Sequence, residues 1–91
     1  MVNRVQQLLS GNTRIGDVFR QVANTKARVF QTTSTVYNPL LPLGYNTGTI
    51  SGSLDALKNE GLIQNRQMSN GGFEWRLTSQ AEKVLRQLGI I

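Results

Sequence analysis

Small hydrogen-bonding side chains are concentrated in residues 46–53, Asn-Thr-Gly-Thr-Ile-Ser-Gly-Ser. Amides and hydroxyls of this kind bond phosphates and base edges, and a Thr methyl can pack on a thymine methyl. The candidate contact residues of this stretch are Asn46, Thr47, Gly48, Thr49, Ser51, Gly52 and Ser53. The chemistry that they indicate is recognition by hydrogen bonding.

The composition excludes most catalytic chemistry. The 91-residue chain contains no Cys and no His, so it has no thiol nucleophile, disulfide, thiolate metal site or imidazole base. Five acidic residues, scattered along the sequence, leave little for a carboxylate metal cage. We therefore expect that the chain is not an enzyme and uses no cofactor or metal. Its length predicts a single domain over residues 1–91.

The charge balance indicates a polyanionic partner. Ten Lys and Arg residues against five Asp and Glu residues give a net charge of +5. The alternative is a mildly basic soluble protein with no such partner. We predict no membrane span, because every apolar run is short. We also predict no signal peptide at the N-terminus, and hence a cytoplasmic, nucleoid-associated location.

A helix over about 46–59 is the element around which the others are arranged. Asn46 can cap it, and Gly61 lies where a left-handed residue would end it. The apolar residues at helical spacing that should be buried are Ile50, Leu54 and Leu57. The opposite face then carries Gly, Thr, Ser and Asn, with Asp55 as its only charge.

Two glycines inside this helix need an explanation, since each costs about 1 kcal/mol relative to Ala. Gly48, Gly52 and Ala56 form a stripe of small residues at a spacing of four. The stripe could allow a close approach of the backbone to DNA, or could pack against another protein helix. Alternatively, Gly48 lies in a loose first turn and Gly52 is merely tolerated.

Apolar periodicity predicts further helices at 2–9, 13–30 and 79–88. Residues 31–43 allow two interpretations, a short strand followed by a stubby helix at about 34–43, or an extended loop. We favour the stubby helix, in which Pro39 is tolerated if it falls in the first turn.

Residues 62–78 are predicted to form a hairpin, because Asn70-Gly71 is a strong turn signal. The second arm alternates strictly, which places Phe73, Trp75 and Leu77 on the packed side and Glu74 and Arg76 on the solvent side.

Three short motifs in order resemble a winged helix-turn-helix domain of MarR-like and PadR-like transcription regulators. Residues 43–51, Leu-Gly-Tyr-Asn-Thr-Gly-Thr-Ile-Ser, resemble the turn and the start of the recognition helix. Residues 54–63 resemble the end of that helix and the first wing strand, and residues 75–78 resemble the second wing strand leading into the last helix. The resemblance implies an α+β fold with a C-terminal β-hairpin wing.

The resemblance implies a small transcription regulator that binds double-stranded DNA, with the recognition helix in the major groove. Arg66 and Arg76, with Asn70 at the wing tip, would contact the backbone or the minor groove. Longer-range phosphate neutralisation is expected from Arg14, Arg20, Lys26, Arg28 and Lys58, and about five neutralised phosphates predict a salt slope near −4 to −5.

Other partners stay open. The runner-up is a winged-helix protein-interaction module that does not bind DNA, and binding of RNA or single strands is a further alternative. A homodimer could form through residues 2–9, residues 13–30 or the C-terminal helix.

Overall fold

Helices and a small antiparallel sheet share one hydrophobic core, so the fold class is α+β, as predicted. The computed structural model describes residues 1–25 and 29–91. The elements in chain order are α1 (Val2–Ser10), α2 (Arg14–Asn24), β1 (Val29–Phe30), α3 (Asn38–Leu40), α4 (Thr47–Asn59), β2 (Ile63–Gln67), β3 (Phe73–Leu77) and α5 (Ser79–Gln87).

The sheet has the order β1-β3-β2, with both neighbouring pairs antiparallel. The predicted hairpin is confirmed, and β1 adds a third strand. The predicted helix over 13–30 is too long, because α2 ends at Asn24. Phe30 fits the helical spacing, but it pairs with Trp75 across β1 and β3, and their ring centroids lie 6.5 Å apart. Lys26 and Arg28 lie outside the described residues.

The segment between β1 and α4 is helical, so the extended-loop interpretation of residues 31–43 is wrong. It consists of a π-helical turn (Thr33–Tyr37), α3 and a 3-10 turn (Leu41–Leu43). The N–H of Asn38 donates to the carbonyl of Thr33, which widens the helix directly before Pro39. Pro39 lies in the first turn of α3, where the missing N–H is tolerated.

Helix α4 follows the prediction at both ends and on its buried side. Asn46 is the N-cap, and its side chain accepts a hydrogen bond from the N–H of Thr49. The residues at helical spacing, Ile50, Leu54 and Leu57, are all buried. At the C-terminus Gly61 takes φ +77° and the N–H of Leu62 donates to the carbonyl of Leu57, a Schellman arrangement that ends the helix.

The remaining helices pack on this core. Helix α1 lies against α2 and α5 and buries Val5 and Leu8, so its apolar side is used within the domain. Thr78 caps α5 by accepting from the N–H of Ala81. The tail residues Ile90 and Ile91 are half-buried against the same core, so the tail packs on its own domain. A homodimer through α1, α2 or α5 stays a prediction.

Within the described residues, no helix is long and apolar enough to cross a membrane.

Candidate nucleic-acid interface

The side of α4 that faces away from the core is exposed along the whole helix. Successive residues of a helix are about 100° apart, so the exposed residues occupy one arc opposite Ile50 and Leu57. We call this surface the α4 front, and it consists of Thr47, Gly48, Ser51, Gly52, Asp55, Lys58 and Asn59. Apart from Asp55 and Lys58 it carries only small or uncharged polar groups.

The glycine in the middle of α4 has no structural cause in the described part of the chain. A Cβ built on Gly52 would have none of those atoms within 4 Å, and one on Gly48 would lie 3.4 Å from Oδ1 of Asn46. Both glycines have ordinary helical backbone, since neither appears among the positive-φ glycines. The space in front of Gly52 is therefore open to a partner.

The N-terminus of α4 presents backbone donors to solvent. The first N–H groups of a helix have no intrahelical acceptor, and the Asn46 side chain satisfies that of Thr49 at 2.7 Å. Because Oδ1 of Asn46 is used in this way, only the amide NH₂ of this side chain is free to contact a partner.

A concavity of about 270 Å³ opens at this N-terminus. It is lined by Arg14, Leu43, Gly44, Tyr45, Asn46 and Thr49. Arg14 is exposed and comes from α2, which packs against α4. The position of this arginine depends on tertiary packing, and the sequence indicated only a general phosphate contact for it.

Contacts of Asp17 hold the turn before α4 against α2. Its carboxylate accepts hydrogen bonds from the Tyr45 hydroxyl and from the Arg20 guanidinium. Arg20 also donates to the carbonyls of Leu8, Leu9 and Gly11, at 2.7–3.2 Å. Arg20 is thus engaged inside the domain, and these contacts use donors that the expected phosphate neutralisation would need.

Ser53 does not lie on the α4 front. It is only 8% exposed, and its hydroxyl donates to the carbonyl of Thr49 at 2.8 Å. Ser53 lies next to the apolar stripe of the helix. Its hydroxyl is therefore not exposed, and the expected contact between Ser53 and a partner is not available. Thr49 itself is half-buried at the rim of the concavity.

The outer face of the hairpin brings two predicted contact residues together around one carboxylate. Glu74 Oε1 lies 2.7 Å from Nη2 of Arg76 and 3.2 Å from Nε of Arg66. The Arg76 hydrogen bond is the main cause of a lowered pKa for Glu74, and Arg66 adds to it. The carboxylate is therefore charged at neutral pH, and the cluster carries one net positive charge.

The tip of the hairpin differs from the prediction in one respect. Asn70 lies in the turn, where its Oδ1 accepts from the N–H of Gly72, and Gly71 takes φ +89°. Phe73 is 53% exposed, so its expected place in the core is wrong. In β3 the core is reached by Leu77, which is buried, and by Trp75, which is half-buried against it.

Apart from Ser53, the predicted contact residues form two groups and one single residue. The first group covers the cap and the N-terminal half of α4, the second lies on the hairpin, and Lys58 stands in the last turn of α4. Gln64 was missed, although it alternates with Arg66 on the same strand and lines the same outer groove. Among the described residues, no group of acidic side chains could hold a metal ion.

Comparison with protein families, with curated proteins and with solved structures finds no match to this chain.

Proposed function

We propose that this chain is a winged helix-turn-helix protein that binds double-stranded DNA and regulates transcription. In this proposal the α4 front enters the major groove, and the β2–β3 hairpin is the wing that contacts the backbone or the minor groove. The observation that carries the proposal is the open space in front of Gly52, in the middle of an otherwise well-capped helix. Gly52 costs helix stability, and no described atom of the chain requires a glycine there. Close contact of the helix backbone with a partner accounts for it.

The order of the elements supports this choice of partner. A short helical segment, a turn at Gly44 with φ +97°, and α4 follow one another as in a helix-turn-helix. The hairpin then follows directly from the Gly61 stop. Thr47 and Ser51 expose hydroxyls on the α4 front, and groups of this size fit between base edges and phosphates.

Charge in the structure is more limited than the composition indicates. Arg4 is paired with Glu60, Arg20 with Asp17, and Arg86 with Glu82. Among residues 1–25 and 29–91, the cations placed to meet phosphates are Arg14, Lys58, Arg66 and Arg76. Four phosphate contacts from these residues predict a salt slope of roughly −3 to −4.

A gel-shift titration of random-sequence duplex DNA tests the proposal. Raising the salt from about 50 to 200 mM should weaken binding roughly 60- to 250-fold at that slope. Absence of binding at the lower salt concentration would refute DNA binding by this chain.

A matched pair of variants tests the placement of the interface. Arg14→Ala and Lys83→Ala each remove one exposed positive charge, but only Arg14 lies at the α4 N-terminus. Arg14→Ala should lower affinity several-fold and reduce the salt slope by about 1, whereas Lys83→Ala should change little. Equal effects of the two variants would show that binding depends on net charge alone.

The second candidate function is a protein-interaction module. It is favoured by Leu43, which is 72% exposed at the end of the 3-10 turn before α4, and by the negative charge of Asp55 on the α4 front. In that case the chain should fail to bind duplex DNA at low salt, and Leu43→Ser should abolish capture of a partner protein without changing the fold.

A further inference from the structure

The acidic residues of the chain differ sharply in how they are neutralised. Four of the five have a cationic partner within the domain, and these are Asp17, Glu60, Glu74 and Glu82. Asp55 forms no ion pair or hydrogen bond with any described side chain. Lys58, one turn further along α4, does not pair with it either.

Asp55 also occupies a central place on the α4 front. At 100° per residue it lies near the middle of the exposed arc, between the directions of Ser51 and Gly48. Side chains of a helix lean toward its N-terminus, so the Asp55 carboxylate is directed over the turn that contains Gly52. A partner that covers the α4 front therefore meets the Asp55 carboxylate.

A free carboxylate at this point disfavours binding to a polyanion unless a donor meets it. Ionised, it only accepts hydrogen bonds. Phosphates repel it, and in the major groove guanine presents only the acceptors N7 and O6. The adenine N6 donor lies between two acceptors, its own N7 and the O4 of the paired thymine, whereas the cytosine N4 amino group has an acceptor on one side only, the O6 of the paired guanine. Cytosine is therefore the base that matches the carboxylate.

We propose that Asp55 determines base specificity by accepting a hydrogen bond from the N4 amino group of a cytosine in the major groove. This inference rests on the proposed DNA binding and assigns a C·G pair to one position of the site. The open space at Gly52 lets the short Asp side chain come within reach of a base edge.

Binding-site selection on random duplexes, with the wild type and two variants, tests this assignment. The wild type should enrich C·G at one position by about tenfold over the other pairs. Asp55→Asn should shift that preference to A·T, because an Asn amide pairs with the N6 and N7 of adenine. Asp55→Ala should lose the preference at that position and keep the rest of the selected sequence.

Charge and folding need separate controls. Gln87→Lys, on the exposed surface of α5, raises the net charge by one as Asp55→Asn does. It should increase affinity for random DNA and leave the selected sequence unchanged. Since Asp55 is exposed and has no described partner, both of its variants should unfold at the wild-type denaturant concentration.

The outcomes separate this inference from the function on which it rests. If the wild type binds duplex DNA but the Asp55 variants select the same sequence as the wild type, the cytosine contact is wrong and DNA binding stands. If the wild type selects no cytosine at any position, the assignment is likewise overturned. If the wild type binds no duplex at low salt, both proposals fail.

Discussion

Gly52→Ala should make the protein more stable and a weaker DNA binder. The position is in the interior of α4, is exposed, and has ordinary helical backbone. A methyl group there would contact no atom of the described chain within 4 Å. Replacing Gly by Ala at such a site should therefore recover most of the helix-propensity difference, about 0.5–1 kcal/mol.

The two effects of this substitution can be measured independently. Urea unfolding followed by circular dichroism should show a higher midpoint concentration of urea. In thermal unfolding, a gain of 1 kcal/mol corresponds to a rise of about 4–8 °C in the melting temperature of a domain of this size. Affinity for duplex DNA should fall on the order of tenfold, since a methyl group inserted into a close contact typically costs 1–3 kcal/mol.

Gly61→Ala is the matched control. It also adds one methyl group in open space, but at φ +77°, where a side chain is strained. It should destabilise the fold by about 1 kcal/mol while leaving the α4 front and the DNA affinity of the folded protein unchanged. If Gly52→Ala binds DNA as tightly as the wild type, close approach at this glycine is refuted.

Three other substitutions test the remaining parts of the structure. Replacing both Arg66 and Arg76 by Ala should weaken binding uniformly across DNA sequences and lower the salt slope, as measured by gel shifts; an unchanged slope would remove the hairpin from the interface. Arg20→Ala should lower the free energy of unfolding by about 2–3 kcal/mol in urea titrations, because three backbone carbonyls lose a charged donor, and stability within 0.5 kcal/mol of the wild type would contradict this role. Arg4→Ala should cost at most about 1 kcal/mol at neutral pH, since the pair with Glu60 is partly exposed. Hydrogen bonding from Arg4 lowers the pKa of Glu60 below 4.5, so this contribution is present above pH 4.5 and is lost as the pH falls through the lowered pKa; a cost that persists in acid would contradict the assignment.

The sequence predicted correctly those features that are determined by residues close together in the chain. The cap at Asn46, the buried stripe of α4 and the left-handed Gly61 all follow from residues within one helix, and the structure has each of them. The turn at Asn70-Gly71 is of the same kind.

The incorrect predictions depend on contacts distant in sequence. Phe30 continues the helical spacing of α2, and only the presence of β3 beside it makes an extended backbone favourable. Phe73 alternates correctly with Trp75, but alternation alone does not show which end of β3 packs on the core, and Phe73 lies at the exposed end. Arg20 looks like a surface cation until the turn between α1 and α2 brings carbonyl groups to it. Ser53 is the exception, because its position beside the apolar stripe could have been found from helical geometry alone.

In the proposed DNA-binding surface, the arginine pair on the hairpin would compensate for the low positive charge of α4. Arg66 and Arg76 share one carboxylate, which reduces the net charge of the cluster but restricts the orientation of both guanidinium groups. A guanidinium carries five N–H donors, so each arginine keeps donors for a phosphate while it bonds Glu74. Ordering the side chains before binding lowers the entropy cost of ordering them in the complex. In the proposed complex, the affinity of the hairpin for DNA would come from two oriented guanidinium groups. Discrimination between sequences would fall to the α4 front, where the Asp55 carboxylate disfavours a base that presents only acceptors.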